Sequence, residues 1–247
     1  MANINDTYFD GYYKDIWRSI IPEELTEKEV DFMLSYFNLH PGSKVLDLMC
    51  GYGRHAIALA KKGIPVTAVD ILDEYIDEIK NTVEIEQLPL KVIKGDVLEY
   101  KIDEAVDLAI CMGNSLNFFN AHDTARLLTE ISSQLKPGGH LLINSWSITE
   151  IVFRNFKDKS WSSVGDLKFL ADSKIHFHPT RIEVESIIIS PDGKTEIKTG
   201  IDYIFSINEM ESMLSDAGLR LTAVYSIPGR KKFTFGEPRA YLVAERV

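Results

Sequence analysis

Three acidic residues stand at or near the ends of three successive apolar runs, where strands of a sheet are predicted. Asp47 lies within the first run, Asp70 closes the second, and Asp96 ends the third. In a doubly wound sheet the carboxyl ends of parallel strands share one edge, so we expect the three carboxylates to line a single crevice. Three acids suit a ligand with a ribose diol, an adenine amino group and a positively charged amino-acid portion, and they suit a pyrophosphate poorly.

A glycine turn follows the first strand and opens the next predicted helix. Gly51 and Gly53 let the backbone approach a ligand where any Cβ would collide, and the N–H groups that begin the helix stay free to meet polar or anionic groups. The pattern Gly51-x-Gly53-x-x-Ala56 also fits the dinucleotide fingerprint, with Asp70 at a suitable distance. The turn alone therefore leaves a nicotinamide dinucleotide open as the ligand.

S-adenosylmethionine combines the three ligand features, and the chain resembles the class I S-adenosylmethionine-dependent methyltransferases from Tyr8 to its C-terminus. Met49 departs from the family pattern, because many members have glycine there. The resemblance implies an enzyme that transfers the methyl group of S-adenosylmethionine and releases S-adenosylhomocysteine. The matching blocks, in family order and spacing, are Val45-Leu46-Asp47, Cys50-Gly51-Tyr52-Gly53-Arg54-His55, Val69-Asp70, Gly95-Asp96-Val97 and Leu135-Lys136-Pro137-Gly138-Gly139.

The resemblance also implies which residues hold the amino-acid portion and the ribose of the cofactor. Asp47 is expected to support the glycine turn and to reach the methionine amino group. Gly51 and Gly53 are expected to pass beneath the amino-acid portion. Asp70 is expected to accept hydrogen bonds from both ribose hydroxyls.

The adenine and the sulfonium have their own expected contacts. By the resemblance, Asp96 and the N–H of Val97 hold the adenine, Ile71 packs on its face, and the backbone of Met112 meets the cofactor. The aromatic segment 8–17 resembles a lid. Tyr13 and Trp17 are its best candidates for cofactor contacts, because a sulfonium cation gains from lying against an aromatic face; packing of this helix on the sheet is the alternative role.

The acceptor side is predicted less sharply. Asn114, Ser115 and Asn117 follow the fourth strand and would face the acceptor, although ordinary turn chemistry explains such residues equally well. His176, His178 and Tyr203 are candidates for a general base. The spacing of the two histidines puts both on one face of a strand, and metal binding would need further ligands that the neighbouring sequence lacks, so no metal is expected.

The predicted fold is α/β: a doubly wound, seven-stranded, mostly parallel sheet of the Rossmann-like kind, with an N-terminal helical lid and an antiparallel β-insertion. We expect one domain, 1–247. It divides into a lid (1–40), a core (41–146 and 206–247) and an insertion over the acceptor site (147–205). Two capping boxes are predicted, Thr26-x-x-Glu29 and Ser206-x-x-Glu209. The predicted strands lie near 44–49, 65–69, 90–94, 105–112, 139–146, 181–187, 219–226 and 239–245, with a further alternating run through Phe205.

Composition narrows the function classes. The net charge of −10 over 247 residues argues against a nucleic-acid partner, which needs clustered Lys and Arg. The N-terminus lacks a signal-peptide pattern, no apolar run is long enough to span a membrane, and two cysteines form no disulfide framework. We therefore expect a cytoplasmic protein with no membrane partner, a monomer or homodimer, acting on a small molecule. The alternatives are an NAD(P)-dependent oxidoreductase and a non-catalytic S-adenosylmethionine-binding protein.

Overall fold

Strands and helices alternate through the first half of the chain, as the apolar periodicity predicts. The computed structural model describes residues 3–102 and 104–247. A 3-10 turn, Ile4–Thr7, precedes two helices, α1 (Gly11–Ile20) and α2 (Glu23–Tyr36). The alternating part then comprises β1 (Val45–Leu48), α3 (Arg54–Lys61), β2 (Val66–Asp70), α4 (Asp73–Glu86), β3 (Leu90–Lys94), β4 (Val106–Cys111), the 3-10 turn Ser115–Phe118, α5 (Ala121–Gln134) and β5 (Leu135–Ser145).

The second half adds a separate sheet and then returns to the first. It comprises α6 (Thr149–Asn155), β6 (Lys159–Val164), β7 (Leu167–Phe177), β8 (Thr180–Ile189), β9 (Thr195–Tyr203), α7 (Ile207–Asp216), β10 (Leu219–Ile227), β11 (Lys231–Lys232) and β12 (Ala240–Arg246). Strands β6 to β9 form an antiparallel four-stranded sheet, which we call the insertion sheet. The sequence missed β6 and β7, because they lack the strict alternation of the later two strands.

The central sheet has the strand order β3-β2-β1-β4-β5-β12-β10-β11. Strands β1 to β5 pair in parallel, and β12 enters antiparallel between β5 and β10. The order reverses between β1 and β4, which is the switch point where such sheets bind ligands. The α/β prediction is confirmed, with one addition: the two-residue β11 makes an eighth strand at the edge.

Packing on both faces explains why the parallel strands read as continuous apolar runs. Every residue of β1 is buried, Asp47 included. Helices α2 and α3 cover one face of the sheet, while α5 and α7 cover the other. None of the described helices is long and apolar enough to cross a bilayer.

One of the two predicted capping boxes is wrong. Helix α2 begins at Glu23, after Pro22 at its N-cap, so Thr26 and Glu29 lie inside the helix and are buried. The Ser206 box is confirmed: its hydroxyl accepts from the Glu209 N–H, and the Glu209 carboxylate accepts from the Ser206 N–H. Local sequence cannot separate the two cases, because the pattern is the same whether the glutamate faces water or the protein interior.

Candidate functional site

A cavity of about 560 Å³ opens at the carboxyl ends of β1 to β4. Its volume lies within the range of ligand pockets, roughly 300–1,000 Å³. The predicted site residues that line it are Trp17, Asp47, Gly51, Asp70, Ile71, Asp96, Val97, Met112, Ser115 and Tyr203. The three carboxylates of successive strands are thus brought to one cavity, as the parallel arrangement predicts.

The glycine turn takes a left-handed backbone at three positions. Gly51 and Gly53 have φ of 56° and 76°, and Met49 has φ of 54°. A Cβ on Gly53 would lie 2.8 Å from Ile79 of α4, so this glycine faces the neighbouring helix and does not line the cavity. Met49 adopts the conformation that glycine favours, at a cost of about 1–2 kcal/mol. At Met49 the chain thus departs from the family pattern in residue type, and the backbone there has a conformation that glycine adopts without strain.

Asp47 is a buried acid with an unpaired oxygen. Asp47 is 1% exposed, and no described residue forms a hydrogen bond with its Oδ2 atom. Burial raises the pKa of Asp47 to about 7, with the Asp70 charge adding to the rise and Arg54 opposing it. An isolated buried carboxylate is costly unless a cation meets it. The bottom of the cavity is therefore suited to a positively charged group.

Asp70 joins the end of β2 to the glycine turn. Its Oδ2 accepts from the Gly51 N–H at 2.8 Å and its Oδ1 from the Leu72 N–H at 3.0 Å. Burial raises the pKa of this carboxyl, while the backbone hydrogen bonds oppose the rise. Each carboxylate oxygen has two lone pairs, so both oxygens can also accept from a ligand hydroxyl.

The outer part of the cavity is more open. Asp96 is exposed, and its Oδ1 accepts from the Leu98 N–H at 2.9 Å, which leaves the other oxygen for a ligand. Val97 is buried beside it, and Ile71 is 38% exposed. An acid, a backbone N–H and an apolar side chain at one opening suit a flat ring with polar edges.

The two aromatic lid candidates occupy different places. Trp17 lines the cavity, and its ring lies 3.2 Å from the position that a Cβ on Gly113 would take. The Tyr13 ring packs on the rings of Tyr8 and of Phe169 in the insertion sheet, with centroid distances of 4.5 and 5.7 Å. Tyr13 is not among the residues that line the cavity. Tyr13 therefore joins the N-terminal segment to the insertion sheet.

Of the three predicted acceptor-site residues after β4, one lines the cavity and two do not. Ser115 lines the cavity, and its hydroxyl donates to the Met112 carbonyl at 2.9 Å. Asn114 and Asn117 are buried and hydrogen-bonded within the protein. Asn117 donates to the carbonyls of Ser147 and Tyr203, at 3.0 and 2.7 Å. Both asparagines fasten the loop to its neighbours, away from the position facing an acceptor that the sequence predicted.

The histidine pair does not reach the cavity. Strand β7 ends at Phe177, so His178 lies in the following turn, exposed, and the two histidines do not share a strand face. His176 lies beside Glu183 on the insertion sheet. Of the three candidate bases, only Tyr203 lines the cavity. Among the described residues, no cluster of three or more His, Cys, Asp or Glu side chains is arranged to hold a metal ion.

A buried ionic network behind the glycine turn was not predicted. Glu29 of α2 meets Arg54 at 2.6 Å and His55 at 2.8 Å, and the Tyr241 hydroxyl donates to its other oxygen at 2.6 Å. Burial alone would raise the pKa of Glu29, but these hydrogen bonds and charges outweigh burial and lower it to about 2. The sequence contained one indication of this network. Positions 26, 29, 30 and 33 share one face of the helix, and Glu29 is a charged residue on that largely apolar face.

Comparisons with known proteins agree with this geometry. A family model described as a methyltransferase domain matches residues 45–139. The S-adenosyl-L-methionine-dependent Diels-Alderase iliD of Neonectria sp. (strain DH2) is 32% identical over 136 residues, covering 54% of this chain and 51% of that protein. The glycine/sarcosine N-methyltransferase of Aphanothece halophytica is 28% identical over 157 residues, covering 62% of this chain and 58% of that protein. The chain thus spans little more than half the length of these relatives.

Among solved structures, the CcbJ methyltransferase from Streptomyces caelestis superposes with a TM-score of 0.82. The match covers 100% of this chain and 98% of that one, at 16% sequence identity. At this low sequence identity, the structural match establishes a common fold and nothing further. The whole described architecture, including the insertion sheet, therefore has a counterpart in a known protein.

Proposed function

We propose that this chain, which belongs to the class I S-adenosylmethionine-dependent methyltransferases, binds S-adenosylmethionine in the cavity and transfers its methyl group to a small-molecule acceptor. The unpaired Asp47 carboxyl at the bottom of the cavity carries this proposal. S-adenosylmethionine has an ammonium group on the side of the molecule that the glycine turn would receive, and an ammonium is the partner that this buried acid lacks.

The other residues fit the rest of the molecule. Asp70 would hold the ribose hydroxyls while keeping its bonds to the glycine turn. Asp96 and the Val97 N–H would hold the adenine edge, and Ile71 would cover the adenine face. The Met112 backbone would meet the cofactor from β4. The cavity therefore offers an anionic or hydrogen-bonding group to each polar part of the ligand.

The chemistry depends mainly on position. Bound S-adenosylmethionine supplies a methyl carbon already activated by its sulfonium. The lining residues Phe9, Trp17 and Phe118 would exclude water and place aromatic faces near the cation. Alignment of an acceptor against an activated carbon can supply much of the rate, so Tyr203 need only orient the acceptor or receive a proton.

The proposal is tested by incubating the purified protein with methyl-labelled S-adenosylmethionine and a metabolite extract, and by identifying labelled products with mass spectrometry. We expect a labelled small molecule that appears only with active protein. Cofactor binding with no labelled product would instead support a non-catalytic binding protein. Stabilisation by NADH in preference to S-adenosylhomocysteine, measured by thermal shift, would support an oxidoreductase.

Cofactor affinity is expected to fall in acid because of Asp47. The pKa of Asp47 is about 7 in the free protein, so below pH 7 the carboxyl holds a proton that pairing with an ammonium must displace. Affinity should then drop by up to about tenfold per pH unit below 7. Calorimetry of Asp47→Asn should show weaker binding at pH 8 and little change between pH 8 and 5.5. An equal pH slope in both proteins would contradict the assigned contact.

A further inference from the structure

Asp202, at the end of β9, is an acid that the proposed cofactor contacts do not use. The Asn114 side-chain amide donates to the Ser147 hydroxyl at 2.9 Å, and Ser147 Oγ lies 3.0 Å from Asp202 Oδ2. Because the serine oxygen already accepts from Asn114, its single proton is directed at Asp202. The network therefore presents hydrogen-bond donors to this carboxyl and favours its ionised form.

No described Lys or Arg side chain forms an ion pair with Asp202. Two basic residues of β8 and β9 are paired elsewhere, Lys198 with Asp10 and Glu196, and Arg181 with Glu183. Burial raises the pKa of Asp202 to about 6, against the hydrogen bonds from Ser147 and Asn114. A half-buried carboxylate with donors but no cation is best completed by a positively charged ligand group.

Aromatic rings lie on the same side of the insertion sheet as Asp202. Strand alternation and register place Asp202, Gly200, Ser186 and Phe169 on one face. Tyr8 meets this face through a 2.8 Å hydrogen bond to Ser186, and Tyr13 packs on Phe169. A carboxylate beside aromatic rings is a combination that binds ammonium groups.

Asp202 does not itself line the cofactor cavity, but its neighbours connect it to the cavity wall. Asn114 stands between Gly113 and Ser115, which both line the cavity, and Tyr203, which follows Asp202 in β9, lines it too. Two hydrogen bonds, through Ser147, thus connect Asp202 to Asn114, whose neighbours in sequence line the cavity. Trp146, which precedes Ser147 in the chain, packs on the cavity-lining Trp17 with ring centroids 5.9 Å apart.

We propose that Asp202 receives the nitrogen of the acceptor, and that the acceptor is a primary or secondary amine. This inference rests on the proposed methyl transfer. The Asp202 carboxylate first takes one proton from the bound ammonium and passes it to solvent, which frees the nitrogen lone pair. That lone pair forms the new C–N bond while the S–C bond breaks with both electrons going to sulfur. Positive charge moves from sulfur to nitrogen, where the Asp202 carboxylate stabilises it. The methylated product then leaves as an ammonium.

The substrate class is tested by dividing a metabolite extract on a cation-exchange resin at pH 7. Each fraction is incubated with methyl-labelled S-adenosylmethionine and the wild-type protein. We expect label only with the retained fraction, in products whose fragmentation shows N-methyl groups. Label with the unretained fraction, alone or equally, would overturn the amine assignment and leave methyl transfer standing. Label in neither fraction would contradict both proposals.

The role of Asp202 is tested with the amine purified from the retained fraction. Asp202→Asn keeps the size of the side chain and removes its charge, so kcat/KM for the amine should fall about 100-fold or more while S-adenosylmethionine affinity stays within about twofold. Asp172→Asn on β7, whose carboxyl is paired with Lys159 and half-exposed, is the matched control and should behave as wild type.

Unchanged cofactor affinity also shows that Asp202→Asn has folded. If that variant does not fold, Ser147→Ala is the second test. It removes the hydroxyl that orients the acid and should cost about tenfold in kcat/KM, with the pH profile for the amine shifted. Wild-type kcat/KM in Asp202→Asn, or an equal loss in Asp172→Asn, would overturn the assignment.

Discussion

Asp70→Ala is expected to abolish detectable S-adenosylmethionine binding by calorimetry while the protein remains folded. The substitution removes the expected acceptor for both ribose hydroxyls, and hydrogen bonds to a charged group contribute about 1.5–3 kcal/mol each. It also frees the N–H groups of Gly51 and Leu72, which Asp70 now holds. Loss of two ligand bonds and of a fixed turn together should weaken binding by at least about 100-fold.

The matched control is Asp73→Ala, three residues further along the chain. Asp73 is exposed at the start of α4 and forms a surface ion pair with Lys94. Such a pair contributes about 0–1 kcal/mol to stability and should not affect the cofactor. Circular dichroism and thermal melting would show that both variants are folded. Wild-type affinity in Asp70→Ala would count decisively against the ribose contact.

Glu29→Ala is expected to cause the largest loss of stability. The substitution leaves Arg54 and His55 buried without their shared carboxylate, and it leaves the Tyr241 hydroxyl without its acceptor. Breaking a buried ion pair by removing one partner costs about 3–5 kcal/mol. For a chain of this length each kcal/mol lowers Tm by about 2–4 °C, so a drop of about 6–20 °C should be seen by calorimetry.

The exposed Glu27 of the same helix offers the control, because Glu27→Ala should change stability by less than about 0.5 kcal/mol. The dependence of stability on pH provides a second test of Glu29. The folded pKa of Glu29, about 2, lies below the unfolded value near 4.5, so its contribution is complete above pH 4.5 and is lost as pH falls toward 2. Glu29→Gln should flatten the fall of stability in that window. An identical pH profile would show that Glu29 is not ionised in the folded protein.

The core of the fold and the location of the ligand site could be predicted because both follow from local periodicity. Apolar runs with Asp47, Asp70 and Asp96 at or near their ends indicate parallel strands, and parallel strands bring their carboxyl ends together whatever the rest of the chain does. The cavity is lined by those three acids, as expected. The two early insertion strands were missed because their alternation is weak.

The role of Glu29 could not be predicted from the pattern around it. A glutamate three residues after a threonine is a capping signal when the helix starts there, and an interior charge when the helix starts earlier. Only contact with Arg54, His55 and Tyr241, from α3 and β12, decides between them. The histidine pair could not be placed from sequence for the same reason. The spacing of His176 and His178 suggested a shared strand face, but the strand ends between them.

The sequence by itself determined the α/β class, the parallel sheet with its switch point, and the row of acids at its edge. Hydrophobic period is a property of short segments, and crossover connections through helices then make the alternating strands parallel, so both can be read without coordinates. Only the tertiary structure decided which polar groups remain without a partner. Among the described residues, neither Asp47 nor Asp202 forms an ion pair, because of how distant segments pack around them, and a missing partner depends on the whole folded chain.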